Sequence, residues 1–463
     1  MKPIEEFLSH LETLDIKIWV YKDRLRCNAP KGILTPDLRT QLSQRKAEII
    51  KFLNHKTHSL KNNTLKTEVV LDPTISPKNL PTKFPTEPKN IFLTGATGFL
   101  GGFLLYELLQ QTQANIYCLV RAENPEIAKK KIQNQLESYL LWNRDLSARI
   151  IPIIGDLSQA FLGLSKEKFQ MMADKIEIIY HNGASVHLFY PYHKLKAINV
   201  LGTEEILRLA SLEQVKPVHF ISTLSVVQSF TYCTNQPVPE ENLLDKWEDL
   251  YNGYAQSKWV AEKIVAIAQS RGIPISIYRP GMITGNSQTG VHKTQDLLST
   301  LLKTFIQLKS APKFDVVWDI TPVDYVSQAI IHLSRQQQTS GKIFHVLNPQ
   351  PIEMSVMIDF VRSFGYPIED MSYDLWRTKL VKFIENSQEN VLNSLLVIFP
   401  EKFSEEQLQV LQLKYGCQNT LNGLVGSSIS CPQPNAELIN TYLSYFIERG
   451  FVEAPKNLIK EVI

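Results

Sequence analysis

Cysteine is scarce in this sequence: there are five, scattered along the chain, and no two of them form a CxxC pair. Such a set indicates neither a zinc site nor a disulfide framework, so we expect no bound metal and a reducing compartment, the cytoplasm. An excess of one charge is also lacking, because 49 Lys and Arg face 46 Asp and Glu, for a net charge of +3. That excess is too small for a protein whose main task is to bind nucleic-acid phosphates.

Long apolar runs are absent too. No stretch approaches the ~20 apolar residues of a membrane-spanning helix, and the first residues, MKPIEEFLSHLE, carry acids where a signal peptide needs an uninterrupted apolar segment. Of the 463 residues, 44% are hydrophobic and 21% are charged, which is typical of a folded globular protein. At roughly 100 to 200 residues per domain, this length predicts two to four domains.

Residues 1–56 have the pattern of a small independent domain. Apolar residues at helical spacing, two alternating runs around Lys22-Asp23, and Thr35-Pro36 as a helix start predict the order helix, hairpin, helix. Eleven basic and seven acidic residues give this segment a net charge of +4, concentrated on the hairpin. A solvated basic face explains that charge as readily as binding of an acidic partner does. Residues 57–88 contain five prolines and predict an extended linker.

After the linker, short apolar runs rich in β-branched residues alternate with longer helical patterns. The runs cover residues 91–93, 116–120, 150–154, 176–180, 218–221 and 275–278. Buried strands that alternate with helices predict an α/β protein with a doubly wound parallel sheet. We expect this domain to cover residues 89–343, and a smaller, mostly helical domain to cover residues 344–463 and pack on one edge of the sheet.

A glycine-rich turn, TGATGFLG at residues 94–101, follows the first strand of this sheet and opens a helix. Its glycines allow a pyrophosphate to approach backbone N–H groups and the helix N-terminus. The GxxGxxG spacing is the form found in short-chain dehydrogenase/reductases, which predicts a Rossmann-type, dinucleotide-binding domain. The residues of this turn that we expect to bind the cofactor are Gly95, Thr97, Gly98, Phe99, Leu100 and Gly101.

Two further positions bear on the nucleotide. Arg121 stands 26 positions after Gly95, at the end of the second strand, where an acid usually binds the ribose hydroxyls. A guanidinium there suits a 2′-phosphate and predicts NADPH, although Glu123 stands nearby and a surface arginine is the simpler alternative. Asp156 and Leu157 follow the third strand, where the carboxylate either reaches the adenine or only closes a turn.

Three stretches match the pattern YxxxK, and with seventeen tyrosines about one match is expected by chance. The pairs are Tyr190/Lys194, Tyr192/Lys196 and Tyr254/Lys258. Context favours Tyr254, because it begins a helix between two predicted strands. Pro191 makes a helical pairing of the first pair awkward, and the second pair fits a helix that leads to Asn199.

The chemistry of a hydride transfer gives this tyrosine a role. A carbonyl that receives a hydride becomes an oxyanion, which a positioned acid must protonate or stabilise. Lys258 lies on the same helical face, four residues after Tyr254, and we expect its ammonium to lower the tyrosine pKa from its usual value near 10. The hydroxyl of Thr223, after the strand at 218–221, would bind the same oxygen.

With these residues in place, residues 65–463 resemble the terminal thioester reductase domains of nonribosomal peptide and polyketide synthases, in the extended short-chain dehydrogenase/reductase superfamily. The matching segments are LTGATGFLG, CLVR, GDL, HNGASV, NVLGT, STLSV, YAQSKWVAE and RPG, with residues 71–75 and 431–455. The resemblance implies a catalytic triad, an NADPH site and reductive release of a carrier-bound thioester as an aldehyde. The triad residues are Thr223, Tyr254 and Lys258, and the cofactor residues are Gly95, Gly98, Gly101 and Arg121, with Asn182, Gly183 and Ala184 close to the cofactor. We expect Lys258 to bind the cofactor as well.

Residues 1–56 resemble another family, the TubC-type N-terminal docking domains that join consecutive synthase subunits. The matching segments are IWV at 18–20, LRCNAP at 25–30, LTP at 34–36 and IIKFL at 49–53. The implied partners are an upstream subunit's acidic C-terminal peptide, paired to the basic hairpin edge, and its phosphopantetheinylated carrier domain. The resemblance leaves open a homodimer through the docking domain.

No segment resembles a carrier or adenylation domain, so we expect a discrete terminal subunit of a natural-product assembly line that receives its substrate in trans. Two other functions stay open. A nucleotide-sugar epimerase or dehydratase of the same superfamily is an alternative, since a fold does not fix a function, and so is a non-catalytic docking adaptor. The identity of the released chain, and whether reduction continues to the alcohol, are not indicated.

Overall fold

The computed structural model describes residues 4, 7–8, 11, 16–21, 24–28, 35–46, 48–49, 64–77, 85, 87–188, 190–233, 236–241, 244, 247, 250, 252–294, 296–386 and 395–456. It contains two compact units, Met1–Glu68 and Val69–Ile463. Lys22-Asp23 of the predicted hairpin turn, and residues 57–63, 78–84 and 86 of the predicted linker, lie outside the described part.

The first unit contains the predicted hairpin. Its strands, β1 Lys17–Tyr21 and β2 Arg24–Asn28, pair antiparallel. The helices Pro36–Gln44 and Thr64–Thr67 come later in the unit. Its buried apolar side chains, which come from both sides of the hairpin in sequence, are Phe7, Leu11, Ile16, Leu42 and Ile49. A small core of this kind fits the prediction that this segment packs as a unit of its own.

The second unit is built on a parallel sheet. Its strands are β3 Asn90–Thr94, β4 Asn115–Val120, β5 Ile150–Ile154, β6 Ile178–His181, β7 Val218–Ile221, β8 Ile275–Pro280, β9 Ile283–Thr284, β10 Ser310–Pro312, β11 Val317–Trp318, β12 Thr321–Pro322, β13 Ile343–Val346, β14 Ile352–Glu353 and β15 Glu369–Met371. Seven of these form the sheet, in the order β13-β8-β7-β6-β3-β4-β5, and all its pairings are parallel. All six strands expected from the sequence belong to it, and the predicted α/β fold is confirmed.

The order of the strands creates one crevice. The chain runs outward from β3 through β4 to β5 on one side and then returns to β6 on the other side of β3. Ligands of such sheets bind at the carboxyl ends of the strands, where this reversal occurs. The glycine-rich turn follows β3 and the segment Asn182-Gly183-Ala184 follows β6, so both predicted cofactor segments lie at this switch point.

Helices cover the sheet and form the rest of the unit. They are Phe99–Gln111, Pro125–Ser138, Lys166–Lys175, Tyr192–Lys196, Gly202–Ser211, Gly253–Ser270, Leu297–Leu308, Val323–Ser334, Met354–Ser363, Tyr373–Asn386, Leu395–Ile398, Glu405–Leu411, Gln418–Leu424 and Ala436–Glu448. Within the residues that the structure describes, none of the helices is long and apolar enough to span a membrane.

The predicted boundary between residues 343 and 344 does not match the packing. β13 is the seventh strand of the sheet and spans that boundary, and Leu424, from a late helix, packs in the core of the sheet. Conversely, the helix Leu297–Leu308 packs in a second core with Trp376 and Tyr442. The sequence did not predict β13, because this strand is only four residues long and His345 interrupts its apolar residues. His345 is fully buried.

Part of the predicted linker is packed rather than extended. We call residues 71–75 the clasp. Arg271, at the end of the helix Gly253–Ser270, donates hydrogen bonds to the clasp carbonyl oxygens of Leu71, Asp72 and Ile75 at 2.7–3.0 Å. Leu71 and Ile75 are 3% and 0% exposed. The proline-based prediction of a linker failed here because two apolar side chains and an arginine provide enough contacts to order the segment.

Candidate active site

The glycine-rich turn places its backbone very close to the start of the following helix. A Cβ atom added to Gly101 would lie 1.8 Å from the carbonyl oxygen of Gly95, so no larger side chain fits there unless the turn moves. Gly95 has a φ of +77°, a left-handed conformation that favours glycine, and its own Cβ would lie 2.8 Å from Asn182 Nδ2. The sequence therefore needs glycine at both positions to form this concave turn.

The turn also presents the positive end of a helix. Gly98 is the N-cap of the helix Phe99–Gln111, and no side chain caps its first turn. N–H groups at such a helix start suit a phosphate ligand. The Phe99 ring points away to an aromatic cluster, with its centroid 5.3 Å from that of Tyr139, so Phe99 would contribute its backbone rather than its side chain. A dinucleotide pyrophosphate fits this cradle.

The segment after β6 closes the other side of the crevice. Gly183 donates its backbone N–H to Thr94 Oγ1 at 2.8 Å, and Asn182 Nδ2 donates to the Gly95 carbonyl at 3.4 Å. A Cβ at Gly183 would lie 2.6 Å from Leu157, which brings the segment after β5 into the same place. The structure thus brings together three of the predicted cofactor segments.

Arg121 and Asp156 lie at the adjoining strand ends. Arg121 is exposed directly after β4, and its carbonyl oxygen accepts a hydrogen bond from Lys131 at 2.9 Å. Asp156 Oδ1 accepts hydrogen bonds from the backbone N–H and the hydroxyl of Ser158, both at 2.8 Å. The Asp156 carboxylate therefore closes a turn through one of its two oxygens, and the guanidinium of Arg121 is accessible to a ligand.

Tyr254 is a buried tyrosine, 8% exposed, in the first turn of the helix Gly253–Ser270. Its hydroxyl lies beside the side chain of Thr223, the residue that caps the short helical turn after β7. Burial raises the pKa of Tyr254 to about 12, and the neighbouring Thr223 hydroxyl opposes that rise. At neutral pH the phenol therefore keeps its proton.

Lys258 is 2% exposed and donates a hydrogen bond to the carbonyl oxygen of Ile221 at 2.8 Å. Its ammonium nitrogen lies 4.2 Å from the centre of the Phe220 ring. Burial lowers the pKa of Lys258 to about 7, and the nearby carboxylate of Glu262 opposes that change. The expected lowering of the Tyr254 pKa by an ammonium is therefore absent, because burial penalises both the phenolate and the ammonium.

The two alternative YxxxK pairs lie elsewhere. The Tyr190 side chain is 38% exposed and stacks on His187, with ring centres 4.1 Å apart. Tyr192 begins a short helix whose backbone packs against the start of the Tyr254 helix, because Gly253 has no side chain. A Cβ at Gly253 would lie 2.3 Å from the carbonyl oxygen of Tyr190. Of the three tyrosines, Tyr254 is the one that the structure brings to Thr223.

Asn199 belongs to the site, although its sequence context alone did not predict a role. It is 1% exposed and lies in a π-helical segment, Ala197–Leu201. Its side chain accepts a hydrogen bond from the backbone N–H of Ser185 at 2.7 Å and donates to Ser257 Oγ at 2.9 Å. Asn199 thus ties the segment after β6 to the helix that carries Tyr254. The available signal was an asparagine within the apolar run INVL, and π segments are frequent at functional sites.

Among the described residues, no group of three or more His, Cys, Asp and Glu side chains is placed to hold a metal ion. The positioned groups are instead hydroxyls, one amine and backbone N–H donors.

The comparisons with known proteins agree with this geometry. Residues 93–330 match the NAD-binding family described as "Male sterility protein". The chain belongs to this family. Residues 4–55 match the TubC N-terminal docking domain, which confirms the resemblance of the first unit.

Individual relatives place the second unit among terminal reductase domains. The chain is 42% identical to the terminal R domain from the myxalamid PKS-NRPS biosynthetic pathway, with a TM-score of 0.79, over 85% of this chain and 99% of that one. It is 37% identical to a linear gramicidin synthase polypeptide of Brevibacillus parabrevis over 95% of this chain and 9% of that protein. It is 34% identical to glycine betaine reductase ATRR of Emericella nidulans over 80% of this chain and 29% of that protein. The chain therefore spans less than a third of the length of either curated relative.

Proposed function

We propose that this protein releases a carrier-bound peptidyl or acyl thioester by NADPH-dependent reduction to an aldehyde. The observation that carries the proposal is the buried Tyr254 side chain, which lies beside Thr223, two positions after the end of β7. The cofactor crevice lies at β3 and β6, and β6 is the neighbour of β7. The phenol of Tyr254 and the hydroxyl of Thr223 therefore lie near the end of the strand next to the proposed dinucleotide site.

The residues of the proposed site have different roles in the reaction. Gly95, Gly98, Gly101 and Arg121 would hold the cofactor, which when bound supplies a hydride. Thr223 and Tyr254 hold the carbonyl oxygen of the thioester with their hydroxyls, and the ammonium of Lys258, one helical turn from Tyr254, favours the negative charge that develops there. The high pKa of Tyr254 keeps its proton in place until negative charge develops on that oxygen, and the proton then moves to it. Collapse of the hemithioacetal gives the thiol and the aldehyde.

The reaction can be tested without a partner protein. We expect the protein to consume NADPH when it is mixed with an S-acyl pantetheine, and mass spectrometry should detect the free thiol and the aldehyde in equal amounts. Further conversion to the alcohol would show as a second equivalent of NADPH consumed. Absence of any NADPH oxidation would favour the non-catalytic adaptor and contradict the proposal.

Arg121 should determine the choice between NADPH and NADH. Its exposed guanidinium can form charge-assisted hydrogen bonds with a 2′-phosphate, each worth about 1.5–3 kcal/mol. We expect Arg121→Ala to reduce the preference in kcat/KM for NADPH over NADH by about tenfold or more. Arg144→Ala, which removes another exposed arginine of the same unit, is the control. Equal use of both cofactors by the unmutated protein would contradict this role.

The partners follow from the first unit and from the relatives. We infer that the docking unit binds an acidic C-terminal peptide of an upstream synthase subunit, whose carrier domain then delivers the thioester. An antiparallel hairpin has open strand edges, which can pair with an extended peptide by β-augmentation. Binding in this way raises the effective concentration of the tethered substrate without any contact to the reacting carbonyl.

Deleting residues 1–68 should separate docking from catalysis. We expect a rise in the apparent KM for the upstream subunit's carrier-bound thioester and no change in the reduction of S-acyl pantetheine. The advantage of the full-length protein should also shrink as salt is added, because the hairpin segment is basic. An unchanged KM for the carrier-bound substrate would exclude the docking role. Loss of activity toward S-acyl pantetheine would show instead that the first unit supports the fold of the second.

A further inference from the structure

The last residue of β7 and the two residues after it lie against one face of the helix Gly253–Ser270. These three residues approach three helix residues that are spaced by about one turn, so the helix residues share one face. The pairs are Ile221 with Lys258, Ser222 with Glu262, and Thr223 with Tyr254. Two of these pairs contain the proposed reacting groups, and the middle one has no role in the mechanism above.

The middle pair is the most tightly held. Ser222 donates its hydroxyl to Glu262 Oε2 at 2.5 Å. Arg279, on β8, donates from Nε to Glu262 Oε1 at 3.0 Å and from a second nitrogen to the same oxygen. Glu262 and Arg279 are 1% and 0% exposed. A buried carboxylate needs such partners to offset its loss of water, and here they come from two neighbouring strands.

Arg279 is itself fixed from the opposite side. Its Nη1 lies 3.2 Å from His345 Nε2 on β13, and His345 Nδ1 lies 2.8 Å from the carbonyl oxygen of Gly416. Burial and the nearby Arg279 lower the pKa of His345 to about 3, so this histidine is neutral and adds no second positive charge. The Glu262 carboxylate is therefore held by β7 and β8 directly, and by β13 through Arg279.

The same carboxylate sets the charge around Lys258. The titratable and charged groups that face Lys258 are Glu262 and Tyr254 on its own helix, His181 on β6, and Arg279 on β8 through its pairing with Glu262. Burial and the charge of Lys258 lower the pKa of His181 to about 3, and Tyr254 is neutral, so neither carries charge at neutral pH. Glu262 is the anion that opposes the effect of burial on the Lys258 pKa.

We propose that Glu262 is a positioning residue for the reduction, which fixes the strand end that carries Thr223 through Ser222 and keeps a negative charge one helical turn from Lys258. The two effects are separable, since Ser222 takes part only in the first. This inference rests on the proposed function, because it requires that Tyr254, Thr223 and Lys258 act on the thioester.

Glu262→Gln tests the charge. We expect kcat for reduction of S-acyl pantetheine by NADPH to fall about tenfold or more near pH 8, and less near pH 6. The sign follows from the pKa of Lys258, which is about 7 and would fall without the carboxylate, so the ammonium would be lost at a lower pH. The alkaline limb of the kcat profile should therefore move to lower pH. The Kd for NADPH, measured by fluorescence, should stay within about twofold.

Glu240→Gln is the matched control. Glu240 is also buried, 4% exposed, but its carboxylate accepts hydrogen bonds from His345, Asn419 and Thr420 and from neither Ser222 nor Lys258. We expect it to change the melting temperature without moving the pH profile. Equal effects of Glu262→Gln and Glu240→Gln on kcat and on the alkaline limb would overturn the proposal, because any buried carboxylate would then serve.

Ser222→Ala tests the geometry and leaves the pair of Glu262 and Arg279 intact. We expect kcat to fall severalfold while the alkaline limb keeps its position, and this contrast with Glu262→Gln separates the effect of geometry from the effect of charge. If Glu262→Gln fails to fold, an unchanged kcat in Ser222→Ala overturns the proposal by itself. If the unmutated protein does not reduce S-acyl pantetheine, the proposed function fails first, and that outcome is distinct from an active protein insensitive to these variants.

Discussion

Replacing Tyr254 by phenylalanine should lower kcat for thioester reduction by about 10²-fold or more, the range that general acid catalysis supplies. The substitution removes one hydroxyl, which lies beside Thr223, and keeps the buried ring and its packing. Because Tyr254 lies away from the glycine-rich turn in sequence and follows a different strand, NADPH binding should change by less than about twofold. Stopped-flow measurement of NADPH oxidation, with a fluorescence titration of NADPH, checks both statements.

The other two tyrosines of the YxxxK motifs are the controls. Tyr190→Phe and Tyr192→Phe change the same chemical group on a segment that packs against the start of the Tyr254 helix. We expect both to retain nearly the full rate. A variant at Tyr190 or Tyr192 that lost the rate while Tyr254→Phe retained it would show that another tyrosine supplies the proton.

The second large effect should come from Gly101→Ala, which we expect to weaken NADPH binding by about 10- to 100-fold. The added methyl group would lie 1.8 Å from the carbonyl oxygen of Gly95, so the helix start and the turn must separate. Overpacking of this kind costs roughly 1–3 kcal/mol, and each 1.4 kcal/mol is about tenfold in affinity. Isothermal titration calorimetry with NADPH gives the Kd directly.

Gly98→Ala is the matched substitution in the same turn. Its Cβ would lie 3.2 Å from the same Gly95 oxygen, and its φ of −88° is available to alanine, so the neighbour needs to move by only a few tenths of an ångström. We expect a change in Kd of less than about fivefold. If the two variants bound NADPH equally well, the close approach at Gly101 would not determine the shape of the cofactor site.

The sequence was sufficient for the sheet and for the residues around its switch point. Six apolar runs predicted six strands of the sheet, because strands buried on both faces are continuous apolar runs and stand out from helices. The seventh, β13, escaped because a buried histidine interrupts a run of only four residues. His345 is tolerated there because Arg279 and the Gly416 carbonyl contact its two nitrogen atoms, and those partners are 66 and 71 positions away in sequence.

The pKa shift of Tyr254 could not be predicted from the sequence in the same way. The i, i+4 spacing placed Lys258 correctly on the face of Tyr254, but the sign of the tyrosine pKa shift depends on how much water both groups lose, which the spacing does not contain. Asn199 and Glu262 were missed for a related reason. Each acquires its role from partners on another element, at Ser257 and Arg279, and single-chain periodicity does not report such pairings.

The clasp bears on how such reductases can be exchanged between assembly lines. Recombination that joined a foreign docking unit immediately before β3, at Lys89, would discard residues 71–75 and leave Arg271 facing no carbonyl oxygens from them. It would also expose to solvent the surface against which Leu71 and Ile75 are buried. We therefore expect the smallest transferable form of the second unit to begin near Val69, about twenty residues before its first strand, and a working chimera to be joined between Glu68 and Val69.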